Sequence, residues 1–131
     1  MALASWLVDQ KEVAWVNYPG LPTSEYKALA DVYLPKGQSG IVTFGLKGGF
    51  ESAKKVADAT TIFSLLANIG DTKSLIIHPA STTHQQLTDQ QQEASGVTKD
   101  LIRLSVGLEN IDDLKLDLQN AFAKISNEVL V

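Results

Sequence analysis

Apolar residues fall along this chain in two rhythms, and each rhythm predicts a different element. Val13-Ala14-Trp15-Val16-Asn17-Tyr18, Ile41-Val42-Thr43-Phe44-Gly45-Leu46 and Leu101-Ile102-Arg103-Leu104-Ser105-Val106 are short, β-branched or aromatic runs that read as strands. Ile62-Phe63-Ser64-Leu65-Leu66 and Ser74-Leu75-Ile76-Ile77 are two more, one on each side of a polar elbow, Asn68 to Asp71. Helical spacing appears in residues 2–10 with Leu3, Trp6 and Leu7 on one face. It recurs in residues 24–34, where Tyr26, Leu29, Ala30, Tyr33 and Leu34 form the apolar face behind a Thr23 or Ser24 cap. Gly48-Gly49 turns into a helix with Ala53, Val56, Ala57 and Thr60 inward. Residues 82–95, rich in Gln and Thr, predict loop plus a short exposed helix. Asn110 caps a last helix whose Asp112 and Asp113 suit its positive end, with a stripe of Ile111, Leu114, Leu118, Phe122, Ile125 and Val129. Several connections are too short for parallel crossovers. The expected fold is therefore α+β, an α/β sandwich with a small antiparallel or mixed sheet and helices packed on one face.

Composition narrows the functional classes. A chain of 131 residues with 44% hydrophobic and 20% charged residues fits one domain with a real core. The net charge of −4 and the lack of a Lys/Arg cluster argue against a nucleic-acid partner. The absence of cysteine removes disulfides, thiolate metal sites and cysteine nucleophiles, and suits the cytoplasm. No apolar run is long enough to span a membrane, and the first residues lack a basic n-region, so no membrane partner and no signal peptide are expected. There is no internal repeat, low-complexity tract or linker.

Four groups of residues invite a chemical reading. His78 and His84 are six apart, not the four that puts two histidines on one helical face, so hydrogen-bonded histidines are expected rather than metal ligands. Ser81, His84 and Asp89 form a nominal triad, but without the Gly-x-Ser-x-Gly elbow it is of a kind that Ser-rich loops produce by chance. Gly45-Leu46-Lys47-Gly48-Gly49 lacks the Gly-Lys-Ser/Thr ending of a phosphate loop and reads as a tight turn into a helix. Arg103 differs, because a cation between Leu101, Ile102, Leu104 and Val106 needs an anion. Two partners stay open: an internal acid, Glu109 or Asp100, or a ligand carboxylate gripped in two-pronged fashion.

The run His78-Pro79-Ala80-Ser81-Thr82-Thr83-His84-Gln85-Gln86-Leu87, followed by Asp100-Leu101-Ile102-Arg103-Leu104-Ser105-Val106-Gly107-Leu108-Glu109, resembles the C-terminal domain of the pyridoxal-phosphate enzymes of cysteine and methionine metabolism. Trp15-Val16-Asn17-Tyr18-Pro19-Gly20-Leu21, Tyr33-Leu34-Pro35-Lys36-Gly37 and Thr43-Phe44-Gly45-Leu46-Lys47-Gly48-Gly49 resemble the O-acetylhomoserine sulfhydrylase (O-acetylhomoserine aminocarboxypropyltransferase) subgroup, as does Gly70-Asp71 after the Asn68 position. The resemblance covers essentially the whole chain. It implies the C-terminal domain of fold-type I enzymes, spanning 1–131. It also implies that Arg103 binds the α-carboxylate of an amino-acid substrate, with Asn68 contacting the same carboxylate. The Ser81-Thr82-Thr83 segment would lie near the active-site mouth.

The same resemblance implies what this chain lacks. In the longer family members a preceding domain holds the aldimine lysine, the aspartate facing the pyridine nitrogen, the stacking tyrosine and the phosphate-binding groups. No Ser-x-x-Lys-Tyr motif occurs here. The chain is therefore expected to hold no catalytic residue, no metal and no pyridoxal phosphate of its own. It would serve a γ-replacement enzyme that turns O-acetylhomoserine and sulfide into homocysteine and acetate. A stand-alone binding or assembly module derived from that domain is the alternative. Trp6, Trp15 and Tyr18 are expected on a surface that a missing domain would cover, and a homo-oligomer is expected.

Overall fold

The computed structural model describes residues 1–126, so the stripe's Val129 lies outside the described residues. Strands β1 (Val13–Asn17), β2 (Ile41–Leu46), β3 (Ser64–Leu65), β4 (Leu75–Ile77) and β5 (Leu101–Ser105) form one sheet in the order β1-β2-β5-β4-β3. All neighbours are antiparallel except β3 and β4, so the sheet is mixed. Helices are α1 (Ala2–Val8), α2 (Lys27–Tyr33), α3 (Gly49–Ala59), α4 (Asp89–Ala94) and α5 (Ile111–Ser126), with a single 3₁₀ turn at Pro79–Ser81. No helix among the described residues is long and apolar enough to cross a membrane.

Strand alternation builds the core. Val42, Phe44 and Leu46 of β2, Ile102 and Leu104 of β5, and Ile76 of β4 join one buried cluster with residues of α1, α3 and α5. Ala53, Val56 and Ala57 of α3 and Leu114, Leu118, Ala121, Phe122 and Ile125 of α5 supply the helical side. Asn110 caps α5 as its sequence predicts: its Oδ1 accepts from the Asp112 amide at 2.8 Å. Gly49, at φ +65°, opens α3, which is the tight turn read from the sequence.

Three expectations need correction. Residues 62–66 were expected to be one strand, but only Ser64 and Leu65 join the sheet, because the preceding amides are taken by a side chain described below. The apolar face of residues 24–34 does not face inward. Only Ala30 of α2 is buried, and Tyr26, Leu29, Tyr33 and Leu34 are exposed together with Val32. Of the aromatic residues expected on a shed surface, Tyr18 is covered, while Trp6 and Trp15 are half-buried. Tyr18 is buried with its hydroxyl donating to the Ser39 carbonyl, and Trp6 stacks on Phe122 with ring centroids 6.2 Å apart. Half-buried Trp15 donates its indole N–H to Asp100 Oδ2 at 2.8 Å.

Candidate functional site

Arg103 stands in the middle strand, with Thr43 of β2 and Ile77 of β4 as its cross-strand partners and Asn17 beyond Thr43. Because Ile102 and Leu104 face the helices, Arg103 projects to the other face of the sheet, where it is half-buried. Neither internal acid considered for it is its partner. Glu109 is taken by Ser74, and Asp100 by Trp15. Among the described residues no carboxylate lies within ion-pair distance of the guanidinium. Its Nη2 donates instead to the Asn68 carbonyl oxygen at 3.0 Å. The structure thus brings together the two residues singled out from sequence, Arg103 and Asn68. A guanidinium carries five N–H donors in a planar fork, and a single carbonyl leaves most of them for other acceptors.

The elbow that delivers Asn68 is built from local hydrogen bonds. The Asn68 Oδ1 accepts from the Ile69 amide at 2.8 Å, and its Nδ2 donates to Asp71 Oδ2 at 3.3 Å. Asp71 Oδ1 also accepts from the Lys73 amide, and this amide with the Asn68 side chain holds the Asp71 carboxyl below its ordinary pKa. Gly70, at φ +75°, supplies the left-handed residue the turn requires. Asn68 therefore presents its backbone oxygen to Arg103, while its side chain is spent on the elbow itself.

Two carboxylates hold the roots of the elbow. Glu109 accepts from the Ser74 amide at 2.8 Å and the Ser74 hydroxyl at 2.7 Å, and Ser74 Oγ accepts from the Gly107 amide at 2.8 Å. Gly107 passes so close that an added Cβ would stand 2.2 Å from the Thr72 carbonyl oxygen and 2.6 Å from the Ser74 nitrogen. At the other root, Asp117 of α5 is buried and accepts from the amides of Thr61, Ile62 and Phe63 and from the Thr61 hydroxyl, at 2.8–3.1 Å. Burial pushes both carboxyls up. For Asp117 the three amides and the hydroxyl outweigh that, and for Glu109 the Ser74 amide and hydroxyl do, so both end below their ordinary range. These two acids were not foreseen as elbow anchors. The signal for Asp117 was its place three residues after Leu114 and next to Leu118, inside the stripe rather than opposite it.

The remaining candidates resolve as ordinary structure. His78 is buried and both ring nitrogens are occupied: Nε2 donates to the Lys99 carbonyl at 2.7 Å, and Nδ1 meets Ser81 Oγ at 2.8 Å. Ser81, His84 and Asp89 do not assemble, since Ser81 serves His78, His84 Nδ1 meets Thr83 Oγ1, and Asp89 pairs with Lys99. No cluster of three possible metal ligands occurs among the described residues.

Residues 1–123 match the Cys/Met metabolism PLP-dependent enzyme family. The chain belongs to that family. An O-acetyl-L-homoserine sulfhydrylase of Leptospira meyeri is 55% identical over 126 residues, covering 95% of this chain and 28% of the relative. O-acetyl-L-homoserine sulfhydrylase 1 of Thermus thermophilus is 50% identical over 121 residues, covering 92% and 29% respectively. A crystal structure of a putative O-acetylhomoserine (thiol)-lyase from Campylobacter jejuni, which carries a pyridoxyl-lysine phosphate group, matches with a TM-score of 0.85 at 46% identity. It covers 93% of this chain and 29% of that one. This family member thus spans less than a third of the length of those relatives. Its described residues do not fit pyridoxal phosphate by themselves. An aldimine lysine works in a water-poor pocket, and here no lysine is buried; the buried polar side chains are Ser74, His78, Gln92, Ser105 and Asp117.

Proposed function

We propose that this chain is the C-terminal, carboxylate-binding domain of a pyridoxal-phosphate-dependent O-acetylhomoserine sulfhydrylase and is inactive alone. One observation carries the reading: the guanidinium of Arg103, the chain's only arginine, stands on the sheet face away from the helices with no acid of the described residues in ion-pair distance, braced by the Asn68 carbonyl. Such a fork accepts a carboxylate through two parallel N–H donors. In that role Arg103 binds the α-carboxylate of the amino-acid substrate and Asn68 fixes the angle of the grip. The reaction served is replacement of an acetoxy group by sulfide, and the groups that activate the substrate come from a cofactor domain outside this chain. Titration of the isotope-labelled chain with O-acetylhomoserine tests the site. The Arg103 Nε–H signal is expected to shift, and Arg103→Gln to abolish the response. An unchanged Arg103 signal at saturating millimolar ligand would remove the assignment.

Arg103→Ala is expected to lower stability by about 1 kcal/mol or less, because it removes one partly exposed hydrogen bond and strands no acid. A loss of several kcal/mol in denaturant midpoints would show Arg103 to be structural. Borohydride reduction after pyridoxal phosphate addition is expected to leave no single lysine stoichiometrically modified, and mass mapping checks it. Association is the third expectation. Exposed Tyr26, Leu29, Val32 and Tyr33 on and beside α2 lie on one short element, a surface of the kind that promotes homo-oligomers. Sedimentation should show the mass rising with concentration; a monomer throughout would exclude it.

A further inference from the structure

The elbow that carries Asn68 is poorly secured by the sheet. Its leading strand β3 is two residues long, lies at the sheet edge and pairs only through Ser64 with Leu75 and Leu65 with Ile76. Leu65 at its end, and Leu66, Asn68 and Ile69 beyond it, are exposed. Two edge pairings are weak restraint for a backbone oxygen that must stand 3.0 Å from Arg103. The firm attachments lie just outside the elbow, at residues 61–63 and 74, and both are carboxylates of one rigid unit. Glu109 immediately precedes Asn110, the cap of α5, and Asp117 lies two turns into the helix. Leu114, Leu118, Ala121 and Phe122 lock that helix into the core.

We propose that Glu109 and Asp117 are positioning residues for the carboxylate grip. Helix α5 acts as a ruler that sets the separation of the two elbow roots, and thereby the height of the Asn68 carbonyl against Arg103. This rests on the reading of Arg103 and Asn68 as the carboxylate site. Neither acid touches the ligand. Each acts through backbone: Asp117 through the amides of Thr61, Ile62 and Phe63, and Glu109 through Ser74. Ser74 passes the restraint on to Gly107, and the Leu108 amide adds a bond to the Thr72 carbonyl at 2.9 Å, so the returning limb of the elbow is stapled at Thr72 and Ser74 to the successive residues Gly107, Leu108 and Glu109.

The test compares Glu109→Gln and Asp117→Asn with Val56→Ala, a buried α3 change that removes none of the clip hydrogen bonds. Amide exchange of residues 64–73, the Arg103 Nε–H signal and O-acetylhomoserine affinity are read on the full chain at conditions giving equal folded fractions. Each clip variant is expected to speed elbow exchange by about tenfold, to move the Arg103 signal and to weaken binding by about fivefold, while Val56→Ala changes none of these. The conservative Glu109→Asp should recover part of the loss. If Asp117→Asn does not fold, Glu109→Gln carries the test alone. Elbow exchange and the Arg103 signal unchanged in Glu109→Gln, or reproduced by Val56→Ala, would overturn the proposal. Wild-type chain that binds no O-acetylhomoserine would instead refute the carboxylate site, while the ligand-free exchange and Arg103 readouts still decide the ruler.

Discussion

Asp117→Ala should destabilise this domain by about 3–5 kcal/mol, the largest effect expected of any polar substitution in it. The carboxylate accepts four hydrogen bonds, three from successive backbone amides, and Asp117 is buried in α5. Alanine leaves those amides without an acceptor, including that of Phe63, whose side chain is itself buried. Asparagine keeps one acceptor oxygen but turns an N–H₂ toward N–H donors, so about half the loss should remain. Urea midpoints at neutral pH measure both. The pH dependence has a definite sign. The folded pKa of Asp117 lies below its unfolded value, so its stabilisation is complete above an unfolded pKa of about 4 and is lost as pH falls through the folded value. Glu109 acts in the same sense. Midpoints should therefore drop on acidification below about pH 4, and drop less in Asp117→Ala. Equal acid sensitivity in the two proteins would show that the Asp117 carboxylate does not titrate with folding.

Gly107→Ala is the second large effect, expected at about 2–3 kcal/mol. What the new methyl meets is backbone: the carbonyl of Thr72 and the Lys73–Ser74 peptide, at 2.2–2.6 Å. Backbone stapled to Glu109 cannot step aside cheaply, so the elbow has to lift. Gly45→Ala is the natural comparison. Its Cβ would come equally near, but to Asp100 Oδ2 and Trp15 Nε1, which are side-chain atoms. Those can rotate at the loss of one hydrogen bond, at a cost of about 1–2 kcal/mol. Thermal or urea denaturation of the pair should rank Gly107→Ala as the more damaging, and only that variant should accelerate exchange in residues 64–73. The reverse ranking would mean that the Gly107 crossing is slack.

Elements whose apolar residues face the core were legible in the sequence. The rhythm of Val42, Phe44 and Leu46, of Ile102 and Leu104, and of Leu114, Leu118 and Phe122 reports burial directly, and each lands where its period places it. Residues 24–34 misled because the period shows that an apolar face exists, not that this chain covers it; only Ala30 reaches the core. The 62–66 strand failed for a different reason. Its composition suits a sheet, yet its amides had a better acceptor fifty-five residues away, in Asp117 with Ile62, which no local pattern announces. Arg103 was conspicuous as a cation among aliphatic residues, and Asn68 entered through family resemblance. What sequence could not show is that Asn68 offers its carbonyl rather than its side chain, because that choice depends on the Asp71 and Ile69 contacts of a folded elbow.

The strand order has a consequence for how such a domain comes into being. β5 is the last strand along the chain, yet it sits between β2 and β4. Until residues 101–105 emerge from the ribosome, β2 and β4 have no shared neighbour, and the preceding hundred residues hold only the separate pairings β1–β2 and β3–β4. Half-built sheets with bare edges invite chaperone capture and wrong partners. Closure of the sheet thus waits for residues 101–105, and the strand that closes it is the one bearing Arg103. A nascent chain stalled before that point cannot set Arg103 against the Asn68 carbonyl, and pulse-labelling of ribosome-bound chains should find protection in β2 and β4 arising together, only after β5 clears the exit tunnel.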